Sequence, residues 1–428
     1  MNACDKSDDG KRILFLAMAA AMGGFLFGYD TAVINGGEQQ IQSVWGLLSF
    51  VHGLVMSSAL WGTVIGAAFG GKVCDRIGRK PTLFWVGVLY FVSAIWSAFA
   101  IGPWDLIVAR FIGGLGVGAS SIAAPVYIAE ISPADRRGRL GGLFQFNIVL
   151  GMVVSQFVNW GIGSAGLGDV TWRAMLGAEA VPALAFTLIT PFLTESPRWL
   201  AMTGGSASVP DMDRTAPVSP FFSRQNLRLI ILVFCLAMFN QLSGINAMMY
   251  FAKRVFEMAG FTPQAALGTA AGMSVVLGLG TFAGLFLIDR LGRRTLLIIG
   301  SIGCIAAHFT TTAAFVFDFG MLAAICIFQF IVFFAMGQGV VIWVFISEIF
   351  PQRFRAQGQS FGSFTHWSFC AALTFVFPVM AAAWAPAAIF AFFGVCLCAH
   401  LVWALFICPE TKGKALEEMA HLREAGQN

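Results

Sequence analysis

The chain has 428 residues, of which 58% are hydrophobic and 11% are charged, whereas a soluble domain carries about 25% charged residues. This composition excludes a set of soluble domains, and a net charge of +4 gives no reason to expect a nucleic-acid partner. The nine cysteines are scattered without paired metal-ligand spacing, so we expect no metal and no cofactor.

Apolar segments of about 20 residues, long enough to cross a bilayer, follow one another along the chain. The sequence predicts twelve spans: 13–35, 51–71, 81–101, 105–131, 139–162, 172–193, 227–252, 265–288, 295–316, 321–350, 356–383 and 385–408. They predict an all-α membrane protein with an N-terminal bundle (1–193), a connector (194–226), a C-terminal bundle (227–408) and a tail (409–428). The glycine run 113–118 lies inside span four, which favours close helix packing over a dinucleotide-binding loop.

Lysine and arginine fix the expected orientation. With the N-terminus inside the cell, 22 of the 26 basic residues fall on cytoplasmic segments, as the positive-inside rule requires. Both termini are therefore predicted to be cytoplasmic, in the plasma membrane, such as a bacterial inner membrane.

Three charge motifs recur after equivalent spans of the two halves. Asp75 and Arg79 reappear as Asp289 and Arg293, 214 positions later. Glu130 with Arg137 reappears as Glu348 with Arg355 at an offset of 218, and Glu195 reappears as Glu410 at an offset of 215. This repeat predicts two equivalent six-helix bundles, an organisation typical of alternating-access transporters.

Charged residues inside spans are costly in lipid and mark candidate functional sites. At 1.5 Å per residue, Asp30 lies about 25 Å into span one, and Arg110 and Glu179 lie about 8 and 10 Å into spans four and six, which run the opposite way. All three should reach a similar depth in the outer half, where Asp30 and Arg110 can pair. The residues alone leave two interpretations open: a permanent ion pair that locks two helices, or a carboxyl that takes up a proton when the arginine moves away.

The order of several short motifs resembles the sugar porter family of the major facilitator superfamily over nearly the whole chain. The motifs are GYDTAV at 28–33, DRIGR at 75–79, ESPRWL at 195–200, QLSGIN at 241–246, DRLGR at 289–293, SEIFP at 347–351 and PETKG at 409–413. The resemblance implies the major facilitator fold with twelve helices. It also implies proton coupling through Asp30, Arg110 and Glu179, since facilitative members usually carry asparagine at the Asp30 position.

A sugar offers hydroxyls and an apolar face, which amide groups and aromatic planes complement without buried charge. The candidate sugar-binding positions are Phe27, Gln145, Asn240, Gln241, Asn246, Tyr250, Gly339, Trp343, His366 and Trp367. The resemblance implies that Gln145, Gln241, Asn246, Trp343 and Trp367 contact the sugar and that Phe27 and Tyr250 border it. Interhelical hydrogen bonding is the alternative use of single polar residues. On one continuous helix Gln241 and Asn246 would be displaced by about 140°, and the glycines at 337 and 339 should loosen span ten.

Departures from the family pattern affect which sugar fits. Asn240 replaces a usual glutamine, His366 stands where glutamine or asparagine is common, Leu277 replaces an asparagine and Val340 replaces a proline. The imidazole of His366 titrates near neutral pH in water, but we interpret it as a neutral hydrogen-bonding group.

The resemblance assigns the repeated charges to a cytoplasmic gate that closes while the binding site faces outward; anchoring of the topology is the alternative. We therefore expect a transporter, not an enzyme, that imports a monosaccharide with a proton and functions as a monomer in the lipid bilayer. A uniporter, a myo-inositol carrier and a non-transporting sugar sensor are the alternatives, although a sensor would call for a longer tail than 409–428. The connector 194–226 is also short for the helical insert usual in the family.

Overall fold

The structure is a computed structural model that describes residues 3–133, 137–203, 221–350 and 354–412, apart from the side chains of 3–10, 137–139, 202–203, 347 and 355–356. The chain divides into two compact units, Met1–Ala216 and Pro217–Asn428. Most of the predicted connector, 204–220, and most of the predicted tail, 413–428, lie outside the described residues.

Unit 1 is a bundle of long antiparallel helices. Its helices are α1 (Ala3–Val44), α2 (Ser49–Ile77), α3 (Arg79–Ala98), α4 (Pro103–Ile131), α5 (Arg137–Ser164), α6 (Thr171–Ala178), α7 (Ala180–Ile189) and α8 (Pro197–Thr203). Short 3₁₀ turns at Gly168–Val170 and Thr190–Phe192 flank α6 and α7.

Unit 2 repeats this arrangement with more interruptions. Its helices are α9 (Leu227–Leu242), α10 (Ile245–Tyr250), α11 (Ala252–Met258), α12 (Pro263–Leu291), α13 (Arg293–Val316), α14 (Gly320–Phe334), α15 (Val340–Ile349), α16 (Arg355–Ala383) and α17 (Pro386–Phe406). A 3₁₀ turn at Arg224–Asn226 precedes α9, and a π-helical segment, Ala335–Gly339, joins α14 to α15.

Twelve segments of the described chain are long and apolar enough to cross a membrane, which confirms the predicted number of spans and the all-α fold. Large apolar side chains such as Phe286 and Phe406 remain 74% and 80% exposed. An exposed apolar belt of this kind is what a lipid-facing surface requires.

Helices α2 and α4 approach each other closely through glycine. A Cβ on Gly114 would collide with the carbonyl of Ala59, and one on Gly62 would collide with the carbonyl of Phe111. The run 113–118 therefore serves helix packing, as the sequence predicted, because only glycine allows two backbones to come this near.

Three predicted spans differ from the structure at informative places. Span one continues to Val44 rather than ending at residue 35. Span six is interrupted at Glu179, where Pro182 has no N–H to bond the carbonyl of Ala178. Span seven breaks at Gly244, whose φ of 87° is left-handed and is tolerated by glycine at no steric cost.

Candidate functional site

Unit 1 buries an arginine beside two carboxylates. Arg110 Nη1 donates a hydrogen bond of 2.5 Å to Asp30 Oδ1, and Nη2 lies 3.3 Å from Oδ2 and 3.0 Å from the Asp30 carbonyl oxygen. Glu179 Oε2 lies 3.9 Å from the same Nη1. The side chains of all three residues are 2% exposed, so the structure brings the three predicted charges together.

The net charge of this triad determines whether it can bind a proton. With both carboxyls ionised, Asp30, Arg110 and Glu179 carry a net charge of −1 in a buried site of low dielectric constant. An uncompensated charge in such a medium is strongly disfavoured. One bound proton removes the net charge, and displacement of Arg110 would change which carboxyl holds that proton. The arrangement is therefore able to bind and release one proton as helices α1 and α4 move.

A second polar cluster lies in unit 2, around the break in span seven. Asn246 Nδ2 donates to Gln241 Oε1 at 2.5 Å, and Gln241 Nε2 donates to Asn240 Oδ1 at 3.0 Å. The same Gln241 Nε2 lies 3.1 Å from both ring nitrogens of His366, one of which accepts a hydrogen bond in a neutral imidazole. The predicted displacement of Gln241 from Asn246 by 140° is therefore wrong, because the left-handed Gly244 ends the continuous helix on which it was based.

Aromatic rings border this cluster. His366 lies between two indoles, with ring centroids 5.0 Å from Trp343 and 5.0 Å from Trp367. Trp343 is partly exposed, whereas Trp367 is 7% and Tyr250 1% exposed. Six predicted sugar-binding side chains thus lie together in unit 2. Asn240, Gln241 and Asn246 supply amides, His366 supplies an imidazole, and Trp343 and Trp367 supply apolar planes.

The remaining predicted sugar-binding residues occupy separate positions. Phe27 of α1 is buried and Gln145 of α5 is half-buried in unit 1. Gly339 ends the π-helical segment, and the appearance of this segment confirms that the glycines at 337 and 339 loosen span ten.

A buried hydrogen-bond chain that the sequence did not reveal supports the π-helical segment. Asn240 Nδ2 donates to the Gln338 carbonyl oxygen at 3.3 Å, and the Gln338 amide lies 3.0 Å from His400 Nδ1. His400 Nδ1 is also 2.8 Å from Ser301 Oγ. This contact could not be predicted, because Gln338 and His400 lie on different spans and no sequence motif connects them.

The repeated charge motifs form the same contacts in each unit. Arg79 Nε lies 2.9 Å from Glu130 Oε2, and Arg293 Nη2 lies 2.7 Å from Glu348 Oε1. Each arginine also pairs with the aspartate four residues before it, at 3.1 Å to Asp75 and at 3.3 Å to Asp289. The side chains of Arg137 and Arg355 lie outside the described residues.

Glu195 and Glu410 cap the helices that begin with these arginines. Glu195 Oε1 accepts the backbone N–H groups of Arg79 and Lys80 at 3.0 and 3.2 Å. Glu410 accepts those of Arg293 and Arg294 at 2.9 and 3.0 Å. A carboxylate at a helix N-terminus satisfies orphan donors and complements the helix dipole, so these two glutamates stabilise the start of α3 and α13.

The hydrogen-bond partners of Glu410 lower the pKa of its carboxyl. Burial raises its pKa, but hydrogen bonds from the backbone N–H groups of Lys412, Arg293, Arg294 and Thr411 outweigh burial and hold the pKa below the ordinary value of 4.5. Glu410 is therefore ionised when the cap is formed.

Another buried ionisable pair was missed by the sequence analysis. His52 Nε2 lies 2.8 Å from Glu38 Oε2, and both side chains are fully buried. Glu38 escaped notice because span one was expected to end at residue 35, which placed it in a loop. The sequence did contain a signal for this pair. Glu38 follows predicted span one, and His52 lies at the start of predicted span two.

Comparisons with known proteins agree with this architecture. The family model described as sugar (and other) transporter matches residues 16–209 and 205–422. The arabinose-proton symporter of Bacillus subtilis is 32% identical over 96% of this chain and 95% of its own length, and the major myo-inositol transporter of the same bacterium is 32% identical over 96% and 94%. The xylose transporter of Escherichia coli in an inward open conformation superposes with a TM-score of 0.84 at 29% identity, covering 96% of this chain and 99% of that chain.

Proposed function

The chain belongs to the sugar (and other) transporter family, and from that premise we propose that it imports a monosaccharide, a hexose or a pentose, together with a proton. As a family member it is a multi-pass membrane transporter rather than an enzyme. Transport proceeds by alternating access, in which the bundles 1–193 and 227–408 move as bodies. The protein acts as a monomer in the plasma membrane, with both termini in the cytoplasm.

The buried triad of unit 1 is the observation that carries proton coupling. Arg110 holds Asp30 at 2.5 Å and stands 3.9 Å from Glu179, so the site is neutral only with one added proton. Asp30 is the proton carrier in this proposal, and Arg110 displaces the proton when it returns. The similarity to proton symporters for arabinose and xylose supports the same mechanism.

The amide and aromatic cluster of unit 2 supports a sugar as the cargo. Gln241 and Asn246 can donate to and accept from hydroxyls, and Trp343 and Trp367 offer faces against which a sugar ring can pack. Asn240, Tyr250 and Gly339 belong to the same site in this proposal, and Phe27 and Gln145 of unit 1 are assigned to the same cargo. His366 sets the hydroxyl pattern that is accepted, since an imidazole offers one donor and one acceptor.

The charge motifs are assigned to the cytoplasmic gate. Within each unit an arginine ties the ends of three helices together through residues such as Glu130 and Glu195, or Glu348 and Glu410. Isolated exposed pairs contribute only about 0–1 kcal/mol, but this network is partly buried and shared. Its role is to hold each bundle rigid at the end where the gate opens, and Arg137 and Arg355 belong to it by their place in the repeat.

Transport of a polyol is a second candidate function, favoured by the similarity to the myo-inositol transporter. Uniport of a sugar without a proton and sensing of a sugar without transport would use the same fold. These functions differ in whether a sugar, a polyol or a proton crosses the membrane, so one proteoliposome preparation can distinguish them.

The test uses the purified full chain in proteoliposomes with a pH-sensitive dye inside. The panel is D-xylose, L-arabinose, D-glucose and myo-inositol, each at two pH values. The proposal predicts saturable counterflow of at least one monosaccharide and acidification of the lumen as that sugar enters. Counterflow without acidification would identify a uniporter, preference for myo-inositol would identify a polyol carrier, and binding without exchange would identify a sensor.

A further inference from the structure

Three hydroxyl groups of α3 are buried in an unusual way. Several other buried hydroxyls of unit 1 donate to carbonyls of their own helices, as Ser58 does to Val55 at 2.7 Å and Thr63 to Ala59 at 2.9 Å. Tyr90, Ser93 and Ser97 are each at most 1% exposed, yet their hydroxyls have no hydrogen-bond partner among the described protein groups.

These three residues form one stripe. Positions 90, 93 and 97 are spaced by three and four residues, so they share a face of the helix. This face turns toward α4, because a Cβ on Gly116 would lie 3.5 Å from Tyr90 and a Cβ on Gly113 would lie 2.5 Å from Ser93 Oγ. The hydroxyls therefore point into the interior of unit 1 rather than toward lipid.

The middle of the stripe reaches the buried triad. The same Cβ on Gly113 would lie 3.5 Å from Asp30 Oδ1. Ser93 Oγ and Asp30 Oδ1 thus face each other across the space that glycine leaves open, close enough for one bridging water at ordinary hydrogen-bond lengths. Glu179, whose Oε2 lies 3.9 Å from Arg110 Nη1, belongs to the same buried group of charges.

The stripe extends from the triad to the end of α3. Ser97 lies four residues beyond Ser93, about 6 Å along the axis, which two hydrogen bonds through a water molecule span. The helix ends at Ala98, and Phe99 is 74% exposed. This end of α3 is opposite to the end that carries Arg79, so the stripe connects Asp30 with the surface away from the charge motifs.

A buried hydroxyl without a hydrogen-bond partner costs about 1–3 kcal/mol, and a buried water molecule normally supplies the missing hydrogen bond. We propose that Ser93 and Ser97 hold a file of water that delivers the coupling proton to Asp30 from the outer surface. The inference rests on the proposed proton coupling and names the route that it uses.

The transfer conserves protons at every step. A hydronium at the end of α3 passes a proton to the first water, and each oxygen along the file accepts one proton from the surface side while passing its own toward Asp30. The Asp30 carboxylate takes the last proton as Arg110 leaves it. Only O–H bonds are exchanged, and the serine hydroxyls return to their starting state when they reorient.

The test compares Ser93→Ala/Ser97→Ala with Ser58→Ala, which removes a buried hydroxyl that bonds its own helix. Proteoliposomes receive an imposed pH gradient and the panel sugar that the wild-type protein exchanges, and two rates are measured: sugar-dependent proton uptake and sugar counterflow at equal pH. We expect the double variant to lose proton uptake by about tenfold, less than the ~100-fold of a positioned acid or base, because water partly replaces a hydroxyl. Counterflow should stay within twofold of wild type, and Ser58→Ala should match wild type in both.

Equal ratios of proton uptake to counterflow in the double variant and the wild type would overturn the proposed route. If the double variant does not fold, the single variant Ser97→Ala tests the route in its place. Ser97→Thr is expected to restore proton uptake because it keeps the hydroxyl. Failure of the underlying function looks different, since the wild type itself would then exchange sugar without any proton uptake.

Discussion

Asn246 and Gln241 are joined by a hydrogen bond of 2.5 Å across the break at Gly244. The bond orients the two amides relative to each other, and Gln241 in turn orients His366. Gly244 makes this possible because its left-handed φ of 87° interrupts the regular helix between the two amides. A Cβ at Gly244 would also lie 2.8 Å from the ring of Phe393.

Gly244→Ala should therefore disturb the sugar site more than the fold. The left-handed conformation costs a non-glycine residue about 1–2 kcal/mol, and we expect the half-saturating sugar concentration in counterflow to rise about tenfold, which corresponds to ~1.4 kcal/mol. Gly161→Ala is the control, because a Cβ there would meet nothing within 4 Å. A lower melting temperature with unchanged half-saturation would show that the break serves folding alone.

His366→Gln should change which sugar is preferred. An amide offers two donors and one acceptor in place of the single donor and acceptor of a neutral imidazole. We expect the order of inhibition in a competition panel of pentoses and hexoses to change by roughly tenfold for at least one pair of sugars, since a buried unpaired hydroxyl costs about 1–3 kcal/mol. Thr365→Val, whose hydroxyl bonds the Phe361 carbonyl of its own helix at 2.9 Å, should leave the order unchanged, and an unchanged order in His366→Gln would remove His366 from the site.

The Glu410 cap predicts a direction for the effect of acid. Because the folded-state pKa of Glu410 lies below its ordinary value of 4.5, its carboxylate stabilises the fold at every pH above 4.5, and this contribution is lost as the pH falls through the lower, folded-state pKa. The melting temperature of Glu410→Gln in detergent should thus be below that of wild type at neutral pH, with the difference shrinking below pH 4.5. Glu257→Gln serves as the control, and a pH-independent difference would contradict this role.

The sequence predicted best those features that depend only on position along a span. Counting residues from the span ends was enough to predict that Asp30, Arg110 and Glu179 lie close together. The repeat of Arg79 as Arg293 was likewise enough to predict equivalent contacts, because the same motif on the same helix end meets the same partners.

Features that depend on local backbone geometry or distant partners were not predictable. Span one was ended at residue 35 because polar residues such as Glu38 and Gln40 follow, yet the helix continues since Glu38 pairs with His52 and Gln40 accepts the N–H of Trp172. The contact of Gln241 with Asn246 needed the left-handed Gly244, which no periodicity reveals.

Proton coupling through Asp30 is tested most directly by Asp30→Asn. Asparagine keeps the shape of the side chain and a carbonyl acceptor for Arg110 but cannot exchange a proton at ordinary pH. The measurement is sugar accumulation in proteoliposomes driven by a pH gradient, beside counterflow without a gradient, with the exposed Asp169→Asn as the control. We predict that Asp30→Asn abolishes accumulation while counterflow continues; accumulation equal to that of wild type would contradict the assignment of Asp30 as the proton carrier.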